Sequence, residues 1–390
     1  MVGFRQGQGL RSRFCKLGYV IGHKKASLNL LPFNKISFIA LTYRSKSFFL
    51  ALPILFFLLS LTGCGNLLYL SKLGWHQSFI TFQSVPVQEV LIDESFGDEE
   101  KEKIRFIQEV KRYGEEKLGL KRTGSYTKYF EINRPVLHVI TGSEKDRLEF
   151  HHWNFPIIGK VTYKSFFTFE GILKEKRVLE NKGYDTYLQQ AAAYSTLGWL
   201  KDPIFSTMLK WDKATLANIT LHEMAHTTIY FKDETDLNEQ LATFIGNQGS
   251  IDFLTEKYGA GSREVDLAID YQKDDLLFSQ WIDESYNRLS GFYHQPISGE
   301  EKLKGREEIF EAIQKKFVKM QGQFKTDCYK GFEKTKLNNA VLMAHRRYLY
   351  RPDRFKAFYE KMGRDLKKVV EFFKEIKSSG DRKALTSFLE

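Results

Sequence analysis

Acidic residues are missing from the first 63 positions, which hold nine Lys and Arg and no Asp or Glu. Without that segment, 50 basic residues face 48 acidic ones, so the formal charge falls from +11 to +2. A near-neutral body lacks the basic patch that binding to a nucleic-acid backbone needs, which excludes nucleic acid as a partner. The longest apolar run, 14 residues at 48–61, is too short to span a bilayer comfortably as a helix.

This short apolar run has the context of a secretory signal. It follows Arg44 and Lys46 and ends in Leu61-Thr62-Gly63-Cys64. The ending resembles a bacterial lipobox, in which the cysteine thiol accepts a lipid before cleavage in front of it. We expect loss of residues 1–63, lipid on Cys64, and a protein held on a bacterial membrane that faces the periplasm or cell exterior. The alternative is an uncleaved anchor.

Cysteines are scarce, since the chain has only three. Cys15 would leave with the leader and Cys64 would carry lipid, so only Cys328 would remain. No intramolecular disulfide could then form, even in an oxidising compartment. The fold must therefore be stabilised by packing.

Along the mature chain, a region with strand-like sequence patterns is followed by a region with helical ones. Segments at 135–142, 155–169 and 184–194 are rich in β-branched and aromatic residues, which predicts strands. From Asp212 onward, apolar residues recur at helical spacing. This order predicts an α+β fold in which a small, mostly antiparallel sheet packs against a predominantly helical domain.

The segment His222-Glu-Met-Ala-His226 lies inside the helix predicted from about Asp212 to Phe231. Residues four apart share a helix face, so the two imidazoles can bind one ion. Glu223 can reach a water on that ion and act as the general base. The alternative is a pair of polar surface residues, but apolar neighbours predict a buried helix whose polar groups need partners.

A third ligand is predicted at Glu239, 13 positions after His226 and in the first turn of a helix from Leu237 to about Asn247. Folding this helix back would bring the carboxylate to the imidazoles. A capping box formed by Asp236 and Glu239 is the alternative. Two His and one Glu are normal ligands of catalytic Zn²⁺, although another divalent ion stays open.

The segment HEMAH at 222–226 with Asn238-Glu239-Gln-Leu-Ala242 resembles the gluzincins, zinc peptidases whose third ligand is glutamate. More closely, the chain from Cys64 onward resembles a family of bacterial lipoproteins identified as zinc aminopeptidases. The other matching segments are Trp153–Gly159, Ala193–Pro203 and Leu337–Ala340 followed by Tyr348. The resemblance implies that zinc-activated water hydrolyses a peptide substrate.

Further site residues are predicted around the metal. Tyr348 and Tyr194 are candidates to stabilise the oxyanion, and Asn339 and Ala193 are candidates for substrate binding. Tyr194 ends a predicted edge strand that could pair with an extended peptide. The alternative for each tyrosine is core packing with a hydrogen-bonded hydroxyl.

Together these features predict a membrane-anchored zinc metallopeptidase, and the resemblance implies an aminopeptidase. No segment similar to G-x-M-E-N supplies an acid for the substrate's free amine. The alternative is a catalytically silent surface or periplasmic lipoprotein that binds a protein partner and holds a structural metal, which usually has four protein ligands. The chain is predicted to consist of a leader at 1–63, a lipid-attached tether helix at 64–90 and one domain at 91–390. Within this domain we expect the sheet at 130–200, the zinc-binding helices at 212–247 and further helices at 252–390.

Overall fold

The computed structural model describes residues 64–155, 159–191, 193–194, 196–197 and 200–389. The predicted leader and the side chain of Cys64 lie outside the described residues. Among the described residues, those from 80 onward form one compact unit, and those from 64 to 79 belong to a second. None of the described helices combines the length and apolarity needed to cross a membrane. The tether at 64–90 and the lipid on Cys64 stay predictions.

Helices dominate the described part of the chain. The α-helices are α1 Cys64–Gln83, α2 Val87–Ile92, α3 Asp98–Glu116, α4 Phe169–Asn181, α5 Lys213–Thr228, α6 Thr235–Tyr258, α7 Arg263–Tyr293, α8 Gly299–Met320, α9 Asn339–Leu349, α10 Pro352–Lys361, α11 Leu366–Ser379 and α12 Arg382–Leu389. The strands are β1 Val85–Pro86, β2 Lys128–Phe130, β3 Leu137–Ser143, β4 Trp153–Phe155, β5 Gly159–Val161, β6 Lys164–Phe166, β7 Asp185–Ala191 and β8 Ile204–Phe205. Every described strand precedes α5, so the predicted α+β class is confirmed.

The described strands form three small sheets rather than the single sheet predicted. Their orders are β1-β2-β8, β6-β3-β7 and β4-β5. The pairings are antiparallel except for the parallel pair β2–β8. The strand predicted at 155–169 is wrong, because this stretch contains the end of β4 and the separate strands β5 and β6, and β4 pairs antiparallel with β5. Gly159 has a φ of 80°, which favours glycine, and a Cβ there would lie 2.2 Å from Oδ1 of Asp233 unless that side chain moved.

The strand β7 lies at one edge of its sheet, as predicted for this segment. Its ladder with β3 runs from Leu137 opposite Ala191 to Ser143 opposite Asp185. The strand ends at Ala191 rather than at Tyr194. An edge strand leaves one row of backbone groups unpaired within its own sheet, and such a row can bind an extended peptide.

The helices α5 and α6 pack with almost no side chain between them at one point. A Cβ on Gly246 of α6 would lie 2.8 Å from the carbonyl oxygen of Asn218 and 3.2 Å from Cβ of His222 on α5. One turn further, a Cβ on Gly249 would lie 2.9 Å from Cδ1 of Leu221. The two glycines therefore set the close spacing of these helices.

The helix α9 links the sheet region to the central helices. It contacts β3 and β7 on one side and α6 and α7 on the other. Asn338 caps its start, because the Asn338 side chain accepts a hydrogen bond from the backbone N–H of Val341. The helix α9 thus has a capped start and lies between the sheet region and the central helices.

Candidate metal centre

Three side chains from α5 and α6 converge on one point. His222 and His226 lie one turn apart on α5, and their Nε2 atoms are 3.1 Å apart. Oε2 of Glu239, on α6, lies 3.5 Å from Nε2 of His222 and 3.4 Å from Nε2 of His226. The structure thus brings together the three predicted metal ligands, all of them largely buried.

The turn between the helices explains how Glu239 reaches the imidazoles. Asn238 clamps this turn, since its Nδ2 donates to the carbonyl of Phe231 and its Oδ1 accepts from the Phe231 N–H, each at 2.8 Å. The helix α6 starts at Thr235, earlier than predicted, and Glu234 at its N-cap forms no side-chain cap. Glu239 therefore lies beyond the first turn, and the capping-box alternative is wrong.

The electrostatics of the group follow from its burial. Burial opposes the ionisation of Glu239, but the two imidazoles hold the pKa of its carboxyl well below the usual range. Burial alone would lower the pKa of His226, but the carboxylates of Glu239 and Glu223 raise it. A positive charge at this point is therefore stabilised, as it would be for a divalent cation.

The spacing of the donor atoms fits zinc. Zinc bonds of about 2.0–2.1 Å to nitrogen and oxygen place tetrahedral ligands about 3.3 Å apart. The three observed separations of 3.1, 3.4 and 3.5 Å lie close to that value. Among the described residues, His222, His226 and Glu239 are the three side chains that could ligate a metal at this point. Such a set suits a catalytic site better than a structural one with four protein ligands.

Glu223 lies beside the group on α5 and is half-buried. Burial raises the pKa of Glu223, and Glu239 adds to the rise, while His222 and His226 oppose it. A carboxylate with a raised pKa is a stronger base, so the environment of Glu223 favours its role as a proton acceptor.

Tyr348 lies near the end of α9, within electrostatic reach of the metal group. Burial raises the pKa of Tyr348, and the carboxylates of Glu239 and Glu223 raise it further. Arg347 forms a hydrogen bond with the Tyr348 side chain and opposes this rise. The phenol stays protonated at neutral pH and can donate a hydrogen bond.

The other predicted site residues lie in different surroundings. The ring of Tyr194 packs against Phe167 and Phe205, with centroid distances of 5.9 and 5.5 Å. Ala193 is half-buried in the loop that follows β7. Their roles in catalysis and substrate binding stay predictions.

Asn339 is completely buried, and its amide serves the fold. Its Nδ2 donates to the carbonyls of Glu144 and Arg147 at 2.9 and 3.2 Å. Its Oδ1 accepts from the hydroxyl of Tyr293 at 3.0 Å. These bonds hold the loop after β3 against α9, and they do not favour the predicted substrate contact.

The sequence prediction missed two residues near the site: Tyr163, which contacts Glu239, and Arg347, which contacts Tyr163. The hydroxyl of Tyr163 donates to Oε1 of Glu239 at 3.3 Å. The Arg347 guanidinium is buried, with its carbon 5.2 Å from the centroid of the Tyr163 ring. No local sequence pattern marks Tyr163, which lies between two short strands. From the sequence alone, Arg347 would be predicted to be an exposed charged residue.

Two further acids lie near the site. Asp236, one turn before Glu239, has Oδ1 3.7 Å from Nε of Arg347, and both residues line a cavity of about 470 Å³. Asp202 is buried, and burial raises its pKa to about 6. Its Oδ2 accepts from the N–H of Thr196 at 2.9 Å, whereas its Oδ1 has no hydrogen-bond partner among the described residues.

The fold is of the α+β class, and its site brings together a His-His-Glu group that could hold a metal ion. The family described as "Putative aminopeptidase" matches residues 68–386, and the chain belongs to this family. No curated protein and no solved structure matches the chain. Membership of an aminopeptidase family, implied by the resemblance in the sequence, is therefore confirmed. Zinc, lipid attachment and the gluzincin mechanism stay predictions.

Proposed function

We propose that this protein is a zinc-dependent peptidase. The observation that carries the proposal is the convergence of His222, His226 and Glu239 at the spacing of tetrahedral zinc ligands. Zinc bound there would supply a Lewis acid and lower the pKa of a bound water. The three-membered donor set in the described residues does not favour the alternative of a structural metal.

The chain's own residues would move the protons and hold the substrate. Glu223 takes a proton from the attacking water and returns it to the leaving amine, helped by its raised pKa. Tyr348 keeps its proton and donates a hydrogen bond to the oxygen on which negative charge develops. As an edge strand of its sheet, β7 would offer backbone groups to an extended peptide.

The family description favours action on the amino end of a peptide. Such action requires an acid that binds the substrate's ammonium group. Asp236, in the wall of the cavity, and Asp202, with its unpaired oxygen, are the two candidates that the structure offers beside the site. The leader sequence supports attachment of the enzyme to a bacterial membrane through lipid on Cys64.

The test is to measure zinc content and peptide cleavage on the same preparation. Peptides with a free amino terminus and the same peptides acetylated at that terminus are compared as substrates. We expect one bound zinc and cleavage of the free peptides only. Equal cleavage of both sets would remove the aminopeptidase assignment, and a zinc-loaded protein that cleaves neither would favour the silent lipoprotein.

A further inference from the structure

The two carboxylate oxygens of Glu239 have different partners. Oε2 faces the imidazoles of His222 and His226 at 3.5 and 3.4 Å. Oε1 accepts a hydrogen bond from the hydroxyl of Tyr163 at 3.3 Å. The carboxylate is thereby fixed about its own axis, with one oxygen turned toward the metal position and the other turned away.

Tyr163 is itself fixed from behind by Arg347. The Arg347 guanidinium stacks on the Tyr163 ring at 5.2 Å and on the Phe150 ring at 4.8 Å. Its Nε donates to Oγ1 of Thr162 at 3.1 Å, and its amino groups donate to Oγ1 of Thr141 at 3.3 and 3.4 Å. Because these partners belong to β3 and to the turn after β5, the sheet region determines the direction of the Tyr163 hydroxyl.

We propose that Tyr163 is a positioning residue that holds Glu239 as a ligand through one oxygen and so raises the affinity of the site for zinc. This inference rests on the proposed zinc site. A carboxylate that is free to rotate can bind a metal through either oxygen or both, and ordering it costs free energy. Hydrogen-bond partners of metal ligands usually contribute tenfold to hundredfold in metal affinity.

Tyr163 could instead serve only to fill space under Arg347. The two roles differ in what they affect. A packing role would change the stability of the metal-free protein, whereas a positioning role changes zinc affinity and ligand geometry. The substitution Tyr163→Phe keeps the ring and the stacking and removes only the hydroxyl, so it separates these roles.

The experiment uses the mature full chain with Tyr163→Phe and a matched control, Tyr187→Phe. The Tyr187 hydroxyl also forms a 3.3 Å hydrogen bond, but to His345 rather than to a predicted metal ligand. Zinc affinity is measured by competition with a chromophoric chelator, and the free energy of unfolding of the metal-free proteins is measured in urea. The visible spectrum of the cobalt-substituted protein reports the ligand geometry.

We expect Tyr163→Phe to weaken zinc binding about tenfold and to alter the cobalt spectrum. Its metal-free stability should match that of Tyr187→Phe, and Tyr187→Phe should bind zinc as the unmodified protein does. Unchanged zinc affinity in Tyr163→Phe would overturn this inference and leave the proposed function intact. Absence of zinc binding in the unmodified protein would overturn both.

Discussion

Two buried groups of charged side chains lie in the same domain and differ in how their charges are balanced. In the first, Arg306 meets Asp185 through two hydrogen bonds of 2.7 and 3.0 Å, and Asp185 also accepts from the N–H of Asn339. In the second, His222, His226 and Glu239 aim lone pairs at one point. The first group is an ion pair with matched charges, whereas the second is a set of ligand atoms that could hold a metal ion.

The difference separates structural charge from functional charge. A buried ion pair with all its hydrogen bonds made stabilises one arrangement of the chain, and breaking it is costly. A buried cluster of metal-ligating atoms is unfavourable until a cation binds between them. We therefore expect substitutions in the first group to change stability, and substitutions in the second to change metal binding and catalysis.

The largest expected effect belongs to Glu223→Gln. Losing the general base should lower kcat by about 10²–10⁴-fold, while zinc content and unfolding free energy stay close to those of the parent. Peptide hydrolysis and metal analysis on one preparation measure both. A variant that retains zinc and cleaves as fast as the parent would show that Glu223 is not the base.

Arg306→Met tests the structural group. It leaves the Asp185 carboxylate buried without its partner, so we expect a loss of about 3–5 kcal/mol in unfolding free energy. The control is Arg364→Met, which breaks an exposed pair with Glu360 and should cost less than about 1 kcal/mol. Both are measured by urea unfolding. If Arg306→Met instead lost zinc while staying folded, the two groups would not be independent.

Tyr348→Phe sharpens the distinction within the metal site. Losing a donor to the developing oxyanion should lower kcat by about 10²-fold and leave zinc affinity unchanged. Tyr163→Phe, by contrast, is expected to weaken zinc binding and to have a smaller effect on kcat at saturating zinc. Steady-state kinetics at saturating zinc measures this. Equal loss of zinc affinity in both variants would argue against an oxyanion role for Tyr348.

The smallest effect is a pH dependence from His345, a buried histidine outside both groups. Burial, helped by Arg347, lowers the pKa of His345 to about 3, whereas the unfolded chain has an ordinary histidine pKa of about 6.5. The unfolded state therefore binds more protons between these values, and stability falls as the pH falls below about 6.5. In His345→Gln, the free energy of unfolding should change less steeply with pH, by about 1 kcal/mol per pH unit between pH 6 and 4. Identical slopes in urea unfolding would refute this.

The local parts of this site could be predicted from the sequence, and the long-range parts could not. The histidines of α5 follow from helical spacing alone. At Glu239 a capping box is the competing interpretation, and the family resemblance favours the ligand. Tyr163 and Arg347 are 184 positions apart in the chain. Only the packing of α9 against the sheet brings them together, and no local pattern encodes that contact.

For the fold too, local patterns predict only the parts that do not depend on distant contacts. The succession of strand and helix patterns predicts the α+β class correctly. The strand β5 is also held by a contact that is distant in sequence, the hydrogen bond from the N–H of Lys160 to Oδ1 of Asp233 in the loop between α5 and α6. Asn339 gives a second example, since the sequence does not show that its amide is hydrogen-bonded to the loop after β3. Its role in substrate binding stays a prediction.

The close contact at Gly246 has a thermodynamic consequence for the metal. Backbone contact between α5 and α6 sets their separation, so the protein itself holds the ligands near their final distances. A cation arriving there would meet a receptor that is already shaped, with little chain entropy left to lose. The affinity of the centre would then depend on positions that carry no side chain, two turns of helix away from Glu239.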